Sequence, residues 1–226
     1  MRILIVAATA AEIAPFVASL RFRGEGDSHV VTYTRDAHQI DVLTTGVGMV
    51  ATAAWCARVL ATQEYDMALN LGVCGSFDPE IPAATVVQVI TEQLPELGAQ
   101  DDEGFVTANA LNLVGKNEFP FQAGRLMNPA PPRNEVLMRL PGVHGITVNT
   151  AHGNEEAIRA VRQRCNPHVE SMEGAAFMFA CLIHQIPFAE VRAVSNVVEK
   201  RNRAAWKLRE AIDNLNTTAL EIVDHA

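Results

Sequence analysis

VESMEGAAFMFACLIHQIPFAEVRAVSNVVEKRNRAAW, residues 169–206, sets two carboxylates, Glu170 and Glu173, at the mouth of an apolar run of helical length, Gly174 to Ile183. A short apolar segment, Pro187 to Val194, follows and reads as a buried strand ending on Arg192, Ser195 and Asn196. Polar groups clustered just past a buried strand are where open α/β sheets place their ligand chemistry. An acid at the start of one buried helix and an amide at the end of the next strand can face one small molecule. Read singly, Glu173 is a helix-start charge that complements the dipole, and Asn196 is a turn residue. Read together, they point to a site.

Outward from this stretch, the same alternation continues. Ile3 to Ala8 is a continuous apolar run, the pattern of a strand buried on both faces. Thr9 can cap a helix that starts near Ala10, and Glu12 falls in capping-box register; its alternative is a general base at the carboxyl end of strand one. Val30–Arg35 and Gln39–Thr45 read as a hairpin. The second of these feeds TGVGMVATAA (residues 45–54), where Gly46 and Gly48 make a tight turn into a small-residue helix. Gly-x-Gly without a following Gly-Lys is weak evidence for a phosphate loop, and close helix-to-sheet packing explains it better. Met67 to Leu71 is a third strand, and it runs into NLGVCGSFD (70–78), whose glycines allow a close backbone approach. Ala84–Thr91 and Gly145–Thr150 are further strands, the latter ending at a polar corner that contains Asn149 and His152. Asn154 can cap a helix over Glu155–Cys165, and Arg203–His225 has helical spacing. Residues 92–133, with several prolines and Phe105, Phe119 and Phe121, read as a long covering loop or lid. Strands alternating with helices predict an α/β fold in three layers, a mixed and mostly parallel sheet flanked by helices, as one domain over residues 1–226.

Composition narrows the function. The formal charge of −8 and the absence of a basic stripe argue against a nucleic-acid surface. The cluster Lys200, Arg201, Arg203 reads as a solvated helix start. No stretch approaches the roughly 20 apolar residues of a membrane span. Cys56, Cys74, Cys165 and Cys181 show no metal-type pairing, and the seven histidines are scattered. The amino-terminal RILIVAATA is too brief an apolar run for a signal peptide. A soluble cytoplasmic protein without metal or organic cofactor is expected.

The order ATAAE, TGVGMVATAA, LNLGVCGS, VESMEGAA, VRAVSN is similar, across nearly the whole chain, to the purine nucleoside phosphorylase and nucleosidase superfamily. Within that superfamily it most resembles the futalosine hydrolases, relatives of the methylthioadenosine/S-adenosylhomocysteine nucleosidases. Met-Glu-Gly-Ala-Ala and Arg-Ala-Val-Ser-Asn are specific as a pair; TGVG and LGVCG are weaker. The resemblance implies that Glu12 activates the hydrolytic water, that Glu173 accepts hydrogen bonds from the ribose hydroxyls, and that Met172 packs on the sugar. It further implies that Arg192 and Ser195 line the water and base ends. Thr150, Asn149 and His152 are candidates at the base end, and the phenylalanines of 92–133 are candidates over an aromatic 5′ substituent. Sites near subunit interfaces, in dimers or larger rings, are implied as well.

Asn196 stands where the adenine-specific nucleosidases carry an aspartate. A 6-oxopurine presents O6 and N7 as acceptors; an amide can donate to them, and an ionised carboxylate cannot. Hypoxanthine is therefore expected over adenine, because a site built for one set of hydrogen bonds rejects a mismatched analogue. The bacterial-type phosphorylases hold phosphate with a Gly-Asp-Pro loop that bears arginine. Here that place reads AATAAEIAP (7–15), and its carboxylate repels phosphate, so water is the expected nucleophile. The reading is hydrolysis of the N-glycosidic bond of futalosine, with Glu12 and Asn196 catalytic. The alternatives are a methylthioadenosine-type nucleosidase, an inosine phosphorylase and a non-catalytic nucleoside-binding module.

Overall fold

The computed structural model describes residues 1–25, 29–102 and 104–226. In chain order its elements are β1 (Arg2–Ala7), α1 (Ala10–Ala18), β2 (Arg21–Glu25), β3 (Val30–Arg35), β4 (His38–Thr44), α2 (Met49–Thr62), β5 (Met67–Ser76) and β6 (Val86–Gln93). There follow β7 (Gly98–Asp101), β8 (Gly104–Thr107), β9 (Leu126–Met127), α3 (Glu135–Arg139), β10 (Gly142–Thr147), α4 (Glu155–Cys165), β11 (Val169–Ser171), α5 (Gly174–His184), β12 (Phe188–Val197) and α6 (Leu208–Asp224).

The sheet order is β11-β10-β6-β12-β5-β1-β4-β3-β2. Its centre is parallel: β12, β5, β1 and β4 run side by side, as the doubly apolar runs in β1 and β5 require. Antiparallel pairs β3–β4 and β2–β3 extend one flank. On the other flank β11 pairs with β10 and also returns antiparallel onto β5, so five strands close on themselves. Side-chain alternation divides the core between two helical layers. Ile3 and Ile5 of β1 face α1 and α6 with Phe16, Leu215 and Ile222. Leu4 and Val6 face α2 and α5 with Cys56, Phe177 and Met178. Helix α5 is buried along most of its length, hence its near-continuous apolar sequence.

Three sequence expectations change. Met67–Leu71 is only the first half of β5, which continues through Gly72 and Gly75 to Ser76; these glycines lie inside a central strand. The strands β2 and β11 have no counterpart among the expected elements, being short and weakly patterned. Residues 92–133 are not one loop: β7 and β8 form a separate hairpin, and β9 adds to β6.

Helix α1 contains Pro15, which has no N–H to donate. The buried amide of Asn216 on α6 brackets this turn: the Phe16 N–H donates to its Oδ1 at 2.9 Å, and its Nδ2 donates to the Glu12 carbonyl at 2.8 Å. The carboxyl-terminal helix thus holds the backbone of Glu12. Replacing Asn216 with Ala leaves these buried backbone groups unpaired and is expected to cost about 1–3 kcal/mol of stability, read from the midpoint of urea denaturation.

Candidate active site

The carboxyl ends of the central strands converge on a cavity of about 470 Å³. Ala8, Thr9 and Glu12 come from the end of β1, and Val47 from the turn after β4. Val73, Cys74 and Gly75 come from β5, Glu170 to Glu173 from the β11–α5 junction, and Ser195 and Asn196 from β12. Ligand chemistry at this edge is the general rule for open α/β sheets. The register of β12 against β5 shifts between Val194 and Asn196, so Ser195 sits on a bulge. A bulge re-aims side chains, and here two consecutive residues, Ser195 and Asn196, both line the cavity.

Glu12 caps its helix and lines the cavity at once. Its Oε2 accepts from the Thr9 N–H (3.0 Å) and hydroxyl (2.8 Å), and its Oε1 accepts from the Val73 N–H at 3.2 Å. The helix start therefore fixes the carboxylate at the cavity wall. Glu173 stands at the start of α5, where its Oε1 accepts from the Gly48 N–H at 3.0 Å. Gly48 has φ +98° and Gly46 φ +87°, conformations that L side chains rarely adopt; the TGVG turn presents an amide to Glu173. Asn196 donates from Nδ2 to the Val197 carbonyl at 2.9 Å, and its Oδ1 accepts from the Ser195 hydroxyl at 2.8 Å.

Arg192 lies beneath the cavity and does not line it. It is 1% exposed, with Nε 2.8 Å from Glu190, NH2 hydrogen-bonded to Asn70, and NH1 3.9 Å from Glu173. A Cβ on Gly72 would collide with this guanidinium and stand 3.1 Å from Glu12 Oε1, which explains the glycine inside β5. Burial works to lower the pKa of Arg192, but Glu190, Glu173 and Glu12 outweigh it and raise it above the ordinary arginine value. The residue therefore acts on the site through the two carboxylates. Thr150 is exposed and off the cavity, because β10 ends at Thr147 and the chain turns outward; Val148, Ala151 and His152 line the wall in its place. Met172 and Ser195 do line it.

Phe105, Phe119 and Phe121 are not on this wall. Phe105 lies under Arg164, Phe121 packs edge-on against Phe179, and Phe119 is 71% exposed. The cavity mouth is instead crossed by residues 199–212, including Arg201, Arg203, Trp206 and Leu208. Arg201 and Arg203 are indeed solvated, as the sequence suggested, yet they rim the cavity. Glu170 is the residue the sequence pointed to as half of a pair and did not assign. It lines the cavity and is bound by His152, 18 residues away in sequence.

With this geometry in place, comparison with known proteins is decisive for the family. The chain matches the family described as the phosphorylase superfamily over residues 2–226. The chain belongs to the phosphorylase superfamily. Among the relatives of this superfamily member, the futalosine hydrolase of Streptomyces coelicolor is 32% identical over 182 residues, covering 76% of this chain and 73% of that protein. The futalosine hydrolase of Thermus thermophilus is 30% identical over 176 residues, covering 76% of each. In fold, the chain is similar to the futalosine hydrolase of Helicobacter pylori (TM-score 0.82, 16% identity, 100% of this chain and 98% of that one). It is also similar to the methylthioadenosine/S-adenosylhomocysteine nucleosidase of Colwellia psychrerythraea, solved with adenine (TM-score 0.81, 20% identity, 100% and 95%).

Behind the superfamily cavity lie two further carboxylates. Glu92 and Glu190 are both fully buried, and a Cβ on Gly174 would collide with each of them. Arg192 serves Glu190, whereas Glu92 has the Thr147 hydroxyl at 2.9 Å. Glu92 Oε1 and Glu190 Oε2 have no hydrogen-bond partner among the described residues. Burial, reinforced by the charge of Glu190, holds Glu92 well above the usual carboxylate range. The folded state then keeps a proton that the unfolded chain releases, so stability falls as pH rises from the ordinary carboxylate value toward the folded one. Glu92→Gln is expected to remove that decline. Its stability gain over the native chain should grow by up to about 1.4 kcal/mol per pH unit through that window, measured by urea denaturation at a series of pH values.

Proposed function

We propose that this chain hydrolyses the N-glycosidic bond of futalosine and releases hypoxanthine. The observation that carries the reading is Glu12, Glu173 and a neutral amide, Asn196, lining one cavity at the carboxyl ends of the central strands. The identity of about 30% to futalosine hydrolases over three quarters of the chain supports the same substrate.

Cleavage builds positive charge on the ribose, as in glycoside hydrolysis. Glu12 takes a proton from the attacking water, with Arg192 beneath it to hold the carboxylate's charge. Glu173 accepts hydrogen bonds from the ribose hydroxyls, and Met172 packs against the sugar. Asn196, with Ser195 bonded to its Oδ1, holds the 6-oxopurine. A cavity of about 470 Å³ leaves room for a 5′ substituent beyond the nucleoside, within the usual range of ligand sites. Of the arginines considered for the carboxylate at the far end of futalosine (Arg125, Arg133 and Arg201), Arg201 lines the cavity; its guanidinium stands 5.8 Å from the Trp206 ring centroid. Indole and guanidinium together suit an aromatic acid.

Among the described residues, no group of three or more His, Cys, Asp or Glu could hold a metal ion, and no helix is long and apolar enough to cross a membrane. The four cysteines are free, and burial pushes the Cys56 and Cys74 thiols up to about 12, in keeping with a cytoplasmic setting. A homo-oligomer is part of the reading, as the resemblance to the superfamily implies.

The test is chromatographic detection of free base from futalosine, inosine and methylthioadenosine, each with and without phosphate. Hypoxanthine from futalosine, indifferent to phosphate, is expected; adenine from methylthioadenosine or a phosphate requirement would refute the reading. Glu12→Gln is expected to lower kcat by about 10²-fold or more. Arg201→Ala is expected to raise KM for futalosine and leave kcat largely unchanged.

A further inference from the structure

His152 and Glu170 form a buried pair that the roles above leave unused. The His152 backbone N–H donates to Glu170 Oε1 at 3.0 Å, and its Nδ1 lies 2.6 Å from Glu170 Oε2. The side chains are 10% and 6% exposed, and both residues line the cavity. An ionised carboxylate only accepts, so the proton of this contact sits on Nδ1. Nε2 is then the ring nitrogen left for a ligand, and it has no partner among the described residues. The ring is held on its other side by an edge contact with Phe77, 6.2 Å between centroids.

The pair stands at the Asn196 end of the cavity. A Cβ on Gly75 would lie 3.4 Å from Asn196 Nδ2 and 3.6 Å from Glu170 Cγ, so both side chains converge above that glycine. Glu12 is grouped instead with Gly72, three residues and about 10 Å back along β5. Breaking the glycosidic bond leaves an electron pair on the purine, which departs more easily if it receives a proton. An amide cannot supply one. Among the other cavity-lining groups, Glu12 is assigned to water, Glu173 is engaged by Gly48, Glu199 is exposed to solvent, burial pushes the Cys74 thiol up to about 12, and the arginines do not release protons in proteins.

We propose that His152 is the general acid of the reaction, oriented by Glu170 as a positioning residue. This rests on the hydrolase reading. As the C1′–N9 bond breaks, its electron pair passes into the purine, and the imidazolium Nε2 proton moves to the purine N7. Water oxygen bonds to C1′ and gives its proton to Glu12. Solvent returns that proton to His152, so the cycle balances.

The experiment compares futalosine with its N7-methylated form, whose base leaves as a neutral molecule and needs no proton. For His152→Gln, kcat on futalosine is expected to fall about 10²–10⁴-fold. On the N7-methyl substrate the loss should stay under tenfold. Glu170→Gln keeps an acceptor for Nδ1 but loosens the ring, and it is expected to lower kcat on futalosine more than on the N7-methyl substrate. Equal losses on both substrates in either variant would show a purely structural pair and overturn the proposal. A native enzyme that cleaves neither substrate overturns the hydrolase reading itself, and this proposal with it.

Discussion

A guanidinium buried under the active-site floor is the constraint on which the rest depends. Removing a charge from water costs several kcal/mol unless partners compensate, and a lone buried arginine would be untenable. Arg192 is compensated by Glu190 along its own strand, Asn70 on the neighbouring strand, and Glu173 and Glu12 above. Those partners must come from β12, β5, the start of α5 and α1, so the charge network can close only when these elements are assembled. The same network puts two carboxylates at the cavity wall with a cation behind them. Gly72 completes the arrangement by leaving its side-chain space to the guanidinium.

The site is correspondingly divided along β5. Around Gly72 gather the groups suited to water and ribose; around Gly75 gather those suited to a leaving base, Asn196 and Glu170 with His152. One strand with two glycines three residues apart separates the two halves of a displacement by roughly the length of a nucleoside core. The bulge at Ser195 and the left-handed backbone of Gly46 and Gly48 are local departures from ideal geometry, and each aims a polar group at this line.

Some features were legible because they are local. Apolar runs of the right length marked β1, α5 and β12, and Asn154 marked the start of α4 through a cap that the structure contains, with its side chain accepting from Glu156 and Ala157 at 2.9 and 3.2 Å. Glu12 was readable both as a capping-box acid and as a base, and the two readings are compatible: the cap holds the carboxylate in place at the cavity wall. Thr150 was misplaced because a strand pattern does not show where the strand stops. The phenylalanines of 92–133 were equally ambiguous, since aromatic content shows that a segment packs and not what it packs against.

Period by itself determined the α/β alternation and the strand-end position of the polar groups, while the resemblance of the motifs to the superfamily singled out Glu12, Glu173 and Asn196 as candidates. The alternation follows from short-range rules, where a residue's neighbours in sequence are also its neighbours in space. Only the tertiary structure decided that Arg192 sits below the cavity, that 199–212 and not 92–133 crosses its mouth, and that Glu170 reaches His152. Each of these depends on pairings between distant segments, above all the return of β11 onto β5. Such pairings are selected by the mutual burial of whole surfaces and leave no periodic trace in the chain.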